Sequence, residues 1–168
     1  MVPYLLLSIF PAALIVAAAN DIYEFKIPNW ISITLIIAYP AAGAAVGASL
    51  ETLLEGFLIG AGALTLGFGL YVGRVIGGGD AKLIAATAPW LGAGALGSFL
   101  FLAALSGLGL AIIIMMFRKM PILPIYSHAP WLLELHDRKK DIPYGVAIAS
   151  GGILSFSQTP FFQLVFGG

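Results

Sequence analysis

Residues 81–117 read AKLIAATAPWLGAGALGSFLFLAALSGLGLAIIIMMF, and Lys82 is the only ionisable side chain among them. As one straight helix this run would be about 55 Å long. The hydrocarbon core of a bilayer is about 30 Å thick and is crossed by about 20 apolar residues. One span cannot account for it, and Gly92, Gly94 and Gly97 mark a turn within it. The run therefore divides into two short spans meeting near residues 94–98. Upstream, comparable apolar runs cover residues 2–19, 30–50 and 53–72, and downstream another covers 143–166. The expectation is an all-α polytopic membrane protein with about six transmembrane helices, and a single membrane-embedded domain over 1–168.

Composition agrees. Of the 168 residues, 60% are hydrophobic, and the mean hydropathy is +1.01, far above that of a soluble domain. Eight Lys and Arg balance eight Asp and Glu, so no basic face is available for nucleic acid. The absence of cysteine removes disulfides, thiolate metal sites and Cys nucleophiles. His128 and His136 lie in a polar, Pro-containing stretch and read as solvated or interfacial side chains, so no metal and no cofactor are expected. The first apolar run has no basic residue before Lys26. It reads as a retained span, not a secretory signal.

Basic residues favour the cytoplasmic side of short loops. With six spans and the N-terminus outside, three loops face the cytoplasm. They hold Lys26, then Arg74 and Lys82, then Arg118, Lys119, Arg138, Lys139 and Lys140, which are all the basic residues of the chain. A five-span arrangement scatters them. The segment 118–141 contains Pro121, Pro124 and Pro130 and should not form one helix, while Tyr126 and Trp131 suit a headgroup region. Small residues such as Gly60, Gly62, Gly67 and Gly69 read as close helix packing.

Ionisable groups at the edge of the hydrocarbon are costly and become candidates for chemistry. Asp21 directly follows the first apolar run, and Asp80 closes the Gly77, Gly78, Gly79 run before the fourth. The basic residues alone place both at the cytoplasmic face. Two carboxylates at one depth can share a proton, one activating water and the other hydrogen-bonding a scissile carbonyl. The competing reading makes each an ordinary interfacial acid. Three glycines before Asp80 let the backbone turn sharply and a substrate strand approach. Helix polarity assigns Asp80, at a positive N-terminal end, as the ionised base, and Asp21, at a negative C-terminal end, as the proton holder.

With these residues in view, the chain resembles the type IV prepilin peptidases, GxGD-type aspartic proteases of the inner membrane. Asp21 followed by Lys26, Ile27, Pro28 and Asn29 is similar to the family's first motif. Gly77, Gly78, Gly79, Asp80, Ala81, Lys82 and Leu83 resemble the second, and Asp141 to Ala149, with Pro143, Tyr144 and Gly145, resembles the opening of its last span. The chain lacks the long members' insertion with paired CxxC motifs. It is similar to the short peptidases of Tad-type (Flp) pili and less closely to archaeal preflagellin peptidases, and N-methyltransferase activity is not expected.

The resemblance implies catalytic Asp21 and Asp80 in a multi-pass protein of the bacterial inner membrane. The implied partner is a pilin precursor with a short basic leader and a hydrophobic helix, cut on the cytoplasmic side. Gly77, Gly78, Gly79, Lys26, Pro28, Asn29, Pro143, Tyr144 and Gly145 would support the site. Lys82 would either bind a substrate carboxylate or extend to headgroups. Glu24, Glu134, Asp137 and Asp141 are candidates for the basic leader, each with a solvated loop acid as the alternative. Presenilin-like proteases share the GxGD Asp, but their Pro-Ala-Leu motif is absent here. A small transporter or assembly scaffold with an acidic ion or proton site is the reading from a different class. It needs a polar path through the bilayer, and the spans carry almost no ionisable residues at their midpoints.

Overall fold

The computed structural model describes residues 2–121, 130–137 and 142–167, and all the regular structure among them is helical. The helices are α1 (Val2–Glu24), α2 (Asn29–Val46), α3 (Leu50–Val72), α4 (Gly78–Phe117), α5 (Pro130–Asp137), α6 (Tyr144–Leu154) and α7 (Pro160–Phe166), with a 3-10 turn (Phe156–Gln158) before α7. His128, Pro124, Tyr126, Arg138, Lys139, Lys140, Asp141 and the side chain of Asp137 lie outside the described residues. Helices α1 to α4 are long and apolar enough to cross a membrane. Helix is the form a single segment must take there, because hydrocarbon offers backbone groups no partner.

The forty residues of α4 are not one rod. Gly92 has φ 61° and ψ 178°, a conformation essentially confined to glycine. Packing shows that the chain reverses there. Along the first half, Ala81 lies beside Gly67 and Pro89 beside Gly60, antiparallel to α3. Along the second half, Phe99 and Ala103 lie beside Gly151, and Gly107 beside the Tyr144 ring, antiparallel to α6. Ile27 touches both Gly79 and Gly145, so the start of α4, the start of α6 and the end of α1 share one end of the bundle.

The expected division of residues 81–117 is therefore present, but the break falls at Gly92, upstream of residues 94–98. Gly94 and Gly97 remain helical with open space around them, whereas a Cβ at Gly92 would come within 2.9 Å of the Pro160 ring. The packing of α7's first residue onto the reversal is a tertiary contact that local sequence does not announce. The halves, residues 78–91 and 93–117, are about 20 and 37 Å long.

The remaining boundaries also shift for identifiable reasons. Helix α1 extends past residue 19 to Glu24, because Phe25 N–H still donates to the Asp21 carbonyl (3.0 Å) and the Asn20 side chain donates to the Val16 carbonyl (2.9 Å). It stops at Phe25, whose φ is +52°. Helix α3 begins at Leu50, where the Ser49 hydroxyl accepts the Thr52 N–H at 3.1 Å as an N-cap. The span expected over 143–166 is interrupted by the 3-10 turn, after which the Thr159 hydroxyl caps α7 with Pro160 at its start. Helix α5 folds back on the end of α4. Arg118 Nε donates to the Leu135 carbonyl (2.9 Å), and Trp131 meets the Tyr23 ring edge-on at 5.6 Å.

At the end of the bundle opposite Asp21, the buried aromatic rings of Phe10, Tyr39, Trp90 and Phe161 hold α1, α2, α4 and α7 together. Trp90 Nε1 donates to the Leu35 carbonyl at 3.0 Å, pinning the short first half of α4 to α2.

Candidate active site

The end of the bundle where α1, α4 and α6 meet holds the polar chemistry. Asp21 lies in the last turn of α1 and is 6% exposed, deeper than an acid just beyond a helix end. Its Oδ2 accepts the N–H of Gly145, the second residue of α6, at 2.6 Å. That approach depends on the missing side chain. A Cβ at Gly145 would stand 2.8 Å from Asp21 Oδ2 and 3.0 Å from Ile27 Cδ1.

Asp80 is the third residue of α4 and is half-buried. Its Oδ2 accepts the Gly77 N–H at 3.3 Å, satisfying one of the donors that a helix start leaves open. Gly77 has no side-chain oxygen to return a bond, so this is one half of a capping box. Gly79 packs onto Ile27, where a Cβ would come within 3.3 Å of the isoleucine Cβ. Ile27 is thus the apolar wedge between the two acidic helix ends.

Both carboxylates line one cavity of about 1120 Å³. Of the residues singled out in the sequence, Gly77, Gly78, Gly79, Lys26, Asn29, Lys82 and Tyr144 line it with them. Pro28, Pro143 and Gly145 do not line the cavity. Pro28 and Pro143 are the N-cap positions of α2 and α6, and Gly145 lies behind Asp21 as its hydrogen-bond donor. Lys82 Nζ donates to Asn29 Oδ1 at 3.1 Å, joining α4 to α2 at the cavity mouth. His136 instead faces the Met120 carbonyl at 3.0 Å, in the α5 region.

Phe25, Tyr71 and Arg74 also line the cavity, and sequence reasoning did not assign them to it. Phe25 (φ +52°) and Arg74 (φ +58°) are the non-glycine residues with positive φ among the described residues. Such backbone costs energy and concentrates at functional sites. The usable signal in the sequence was position: Phe25 lies between Asp21 and Lys26 of the first motif, and Arg74 lies between the end of the third apolar run and the Gly77 to Asp80 motif.

The helix-polarity division between the two acids needs one amendment. Asp21 sits at the negative end of α1, but it also receives the N-terminus of α6 through Gly145, so both acids face a helix N-terminus. Exposure, not the dipole, distinguishes them. Each accepts one backbone N–H, but Asp80 is half-buried and opens to the cavity, whereas Asp21 is buried.

Residues 8–112 match the model of the type IV leader peptidase family, a stretch that contains both aspartates. No curated protein and no solved structure matches the chain.

Proposed function

The chain belongs to the type IV leader peptidase family, and on that premise we propose that it is an aspartic endopeptidase removing the short basic leader of pilin precursors of the type IV or Flp kind. The observation that carries the reading is the convergence of Asp21 and Asp80, from different helices, on one cavity at the basic end of the bundle. Asp80, the more open acid, takes a proton from water, whose oxygen bonds to the scissile carbonyl carbon. Asp21 holds the proton that meets the carbonyl oxygen, and Gly145 N–H keeps it in place. Collapse of the tetrahedral intermediate breaks the C–N bond: the leaving amine takes the proton that Asp80 received from water, and a hydroxyl of the intermediate returns a proton to Asp21. Removing one acid leaves the other without its partner for proton exchange.

Lys26, Arg74 and Lys82 around the cavity match the cytoplasmic side of the bacterial inner membrane, where a leader emerging from the bilayer is accessible. The chain has no counterpart of the paired cysteines of longer relatives, which supports peptidase activity without N-methylation.

The test is co-expression in membranes with a Flp-type precursor, leader removal being followed by gel shift. Wild type should cleave. Asp21→Asn and Asp80→Asn, at equal membrane levels, should each lose cleavage by at least 100-fold. Retained cleavage in either variant refutes the dyad.

A further inference from the structure

A second concavity, about 570 Å³, lies between α2, α3 and the first half of α4, and Asn29 and Lys82 line both it and the dyad cavity. It runs along the helices for about two turns, from Lys82 to Pro89. On α2, Ser32, Ile33 and Ile36 share the face that lines it, and on α3 the spacing of Phe57, Gly60, Ala61 and Leu64 does the same. The depression follows a membrane helix axis and opens sideways.

Three features describe what would fit. The walls are small where helices approach, with Gly60, Ala61 and Ala85, and bulky and apolar at the rim, with Ile33, Ile36 and Leu64 about half exposed. Small residues permit close approach of another helix, the main source of association inside a bilayer. Ser32 is 7% exposed, and its hydroxyl is buried without a hydrogen-bond partner. Ser8 and Ser150 bond carbonyls of their own helices, and Ser155, which does not line the groove, is the other buried unpartnered hydroxyl among the described residues. An unpaired hydroxyl at membrane depth is costly, and a turn of the Ser32 side chain into the groove would let polar or backbone groups of a docked helix relieve that cost, whereas an acyl chain cannot. Finally, the groove leads into the dyad cavity past the Lys82–Asn29 hydrogen bond.

We propose that this groove docks the apolar helix of the substrate, entered laterally from the bilayer, so that the chain leaving that helix passes Asn29 and Lys82 to reach Asp80. The inference rests on the leader-peptidase reading and deepens it by naming where the membrane part of the substrate is held. Asp80 is two residues from Lys82, so a peptide bond just beyond the end of the docked helix is the one presented to the dyad.

Two measurements test it. Ala61 is exposed into the groove, so Ala61→Trp fills the space without entering the core. Cleavage is measured on a full precursor and on a soluble precursor peptide that spans the cleavage site but lacks the apolar helix. The ratio of the two rates should fall at least tenfold in Ala61→Trp. Leu105→Trp, on an exposed position of α4's second half, should leave it unchanged. An unchanged ratio in Ala61→Trp overturns the proposal.

Because the chain has no cysteine, single cysteines can also report contact directly. In the Asp80→Asn background, Ile36→Cys should form a disulfide under mild oxidation with a single cysteine in the precursor's apolar helix, and Leu105→Cys should not. A band at twice the enzyme mass with no enzyme–precursor band would assign the groove to a second copy, and no adduct at all would assign it to lipid. Either result overturns substrate docking. Crosslinking does not require turnover, so failure of wild type to cut either precursor would sink the peptidase reading while the docking question is still answered.

Discussion

Replacing Gly145 by Ala adds one carbon and two hydrogens to the protein, and the place where that carbon lands gives the substitution its effect. It would lie 2.8 Å from Asp21 Oδ2, 3.1 Å from Asp21 Cβ and 3.0 Å from Ile27 Cδ1, against ordinary contacts of 3.4 Å or more. The isoleucine methyl can swing aside. The carboxylate can retreat only by lengthening the 2.6 Å hydrogen bond that fixes it. In the proposed step Asp21 passes its proton to the carbonyl oxygen and becomes charged, and a hydrogen bond to a charged group is worth about 1.5–3 kcal/mol, so weakening it should slow leader cleavage about 10- to 100-fold. The fold should tolerate the change, since alanine favours helix over glycine by about 1 kcal/mol. The assay is the rate of precursor cleavage in detergent, alongside a thermal melt. Gly145→Ala should keep its melting temperature within a few degrees while losing activity. Adding Ile27→Val removes the clashing methyl and should restore only part of the rate, because the contact with Asp21 persists. Wild-type cleavage by Gly145→Ala at equal protein levels would refute the claim that this N–H positions Asp21. Full rescue by Ile27→Val would move the cause from the acid to the isoleucine.

Other substitutions test the scaffold. Gly92→Ala places a side chain at φ 61°, ψ 178° and against Pro160, and should destabilise the protein by about 1–3 kcal/mol in a detergent melt. Gly94→Ala, two residues on in open helix, should be neutral or slightly stabilising, and equal effects at the two positions would disprove the reversal at Gly92. Trp90→Phe keeps most of the buried ring but removes the donor to the Leu35 carbonyl. It should cost about 1–2 kcal/mol, measured by the shift in the same melt, and no shift would show that this bond contributes nothing to holding α4 on α2.

The sequence made the membrane class legible because apolar length is a one-dimensional property, and α1 to α4 each carry it. It also showed that residues 81–117 must turn, since a run of that length has no single-span solution. The location of the turn was not legible. Gly92, Gly94 and Gly97 are alike as residues, and only the Pro160 ring on one of them separates the three. The same limit explains the broken final span: the hydropathy of 143–166 is nearly continuous, while the helix ends at Ser155 and restarts at the Thr159 cap, with Pro160 held against Gly92.

The candidate site divides along the same line. Asp21 and Asp80 stood out because an acid at a membrane boundary is costly wherever its neighbours lie, and a cost of that kind can be assigned to a residue alone. Gly145 stood out only as part of a resemblance, because its contribution is the absence of a side chain opposite Asp21, more than 120 residues away in the chain. Polarity reasoning for Asp21 used the only helix visible locally, its own, and missed the N-terminus of α6 that folding brings to the same carboxylate. Once both acids face a helix N-terminus, their local fields no longer distinguish base from proton holder. What distinguishes them is that Ile27 and Gly145 close over Asp21 while the Gly77 to Gly79 turn leaves Asp80 open to the cavity. A dyad built this way has its asymmetry in the backbone approaches around the acids, so conservative changes at Gly145 should alter catalysis more than changes in the charged residues at the cavity mouth.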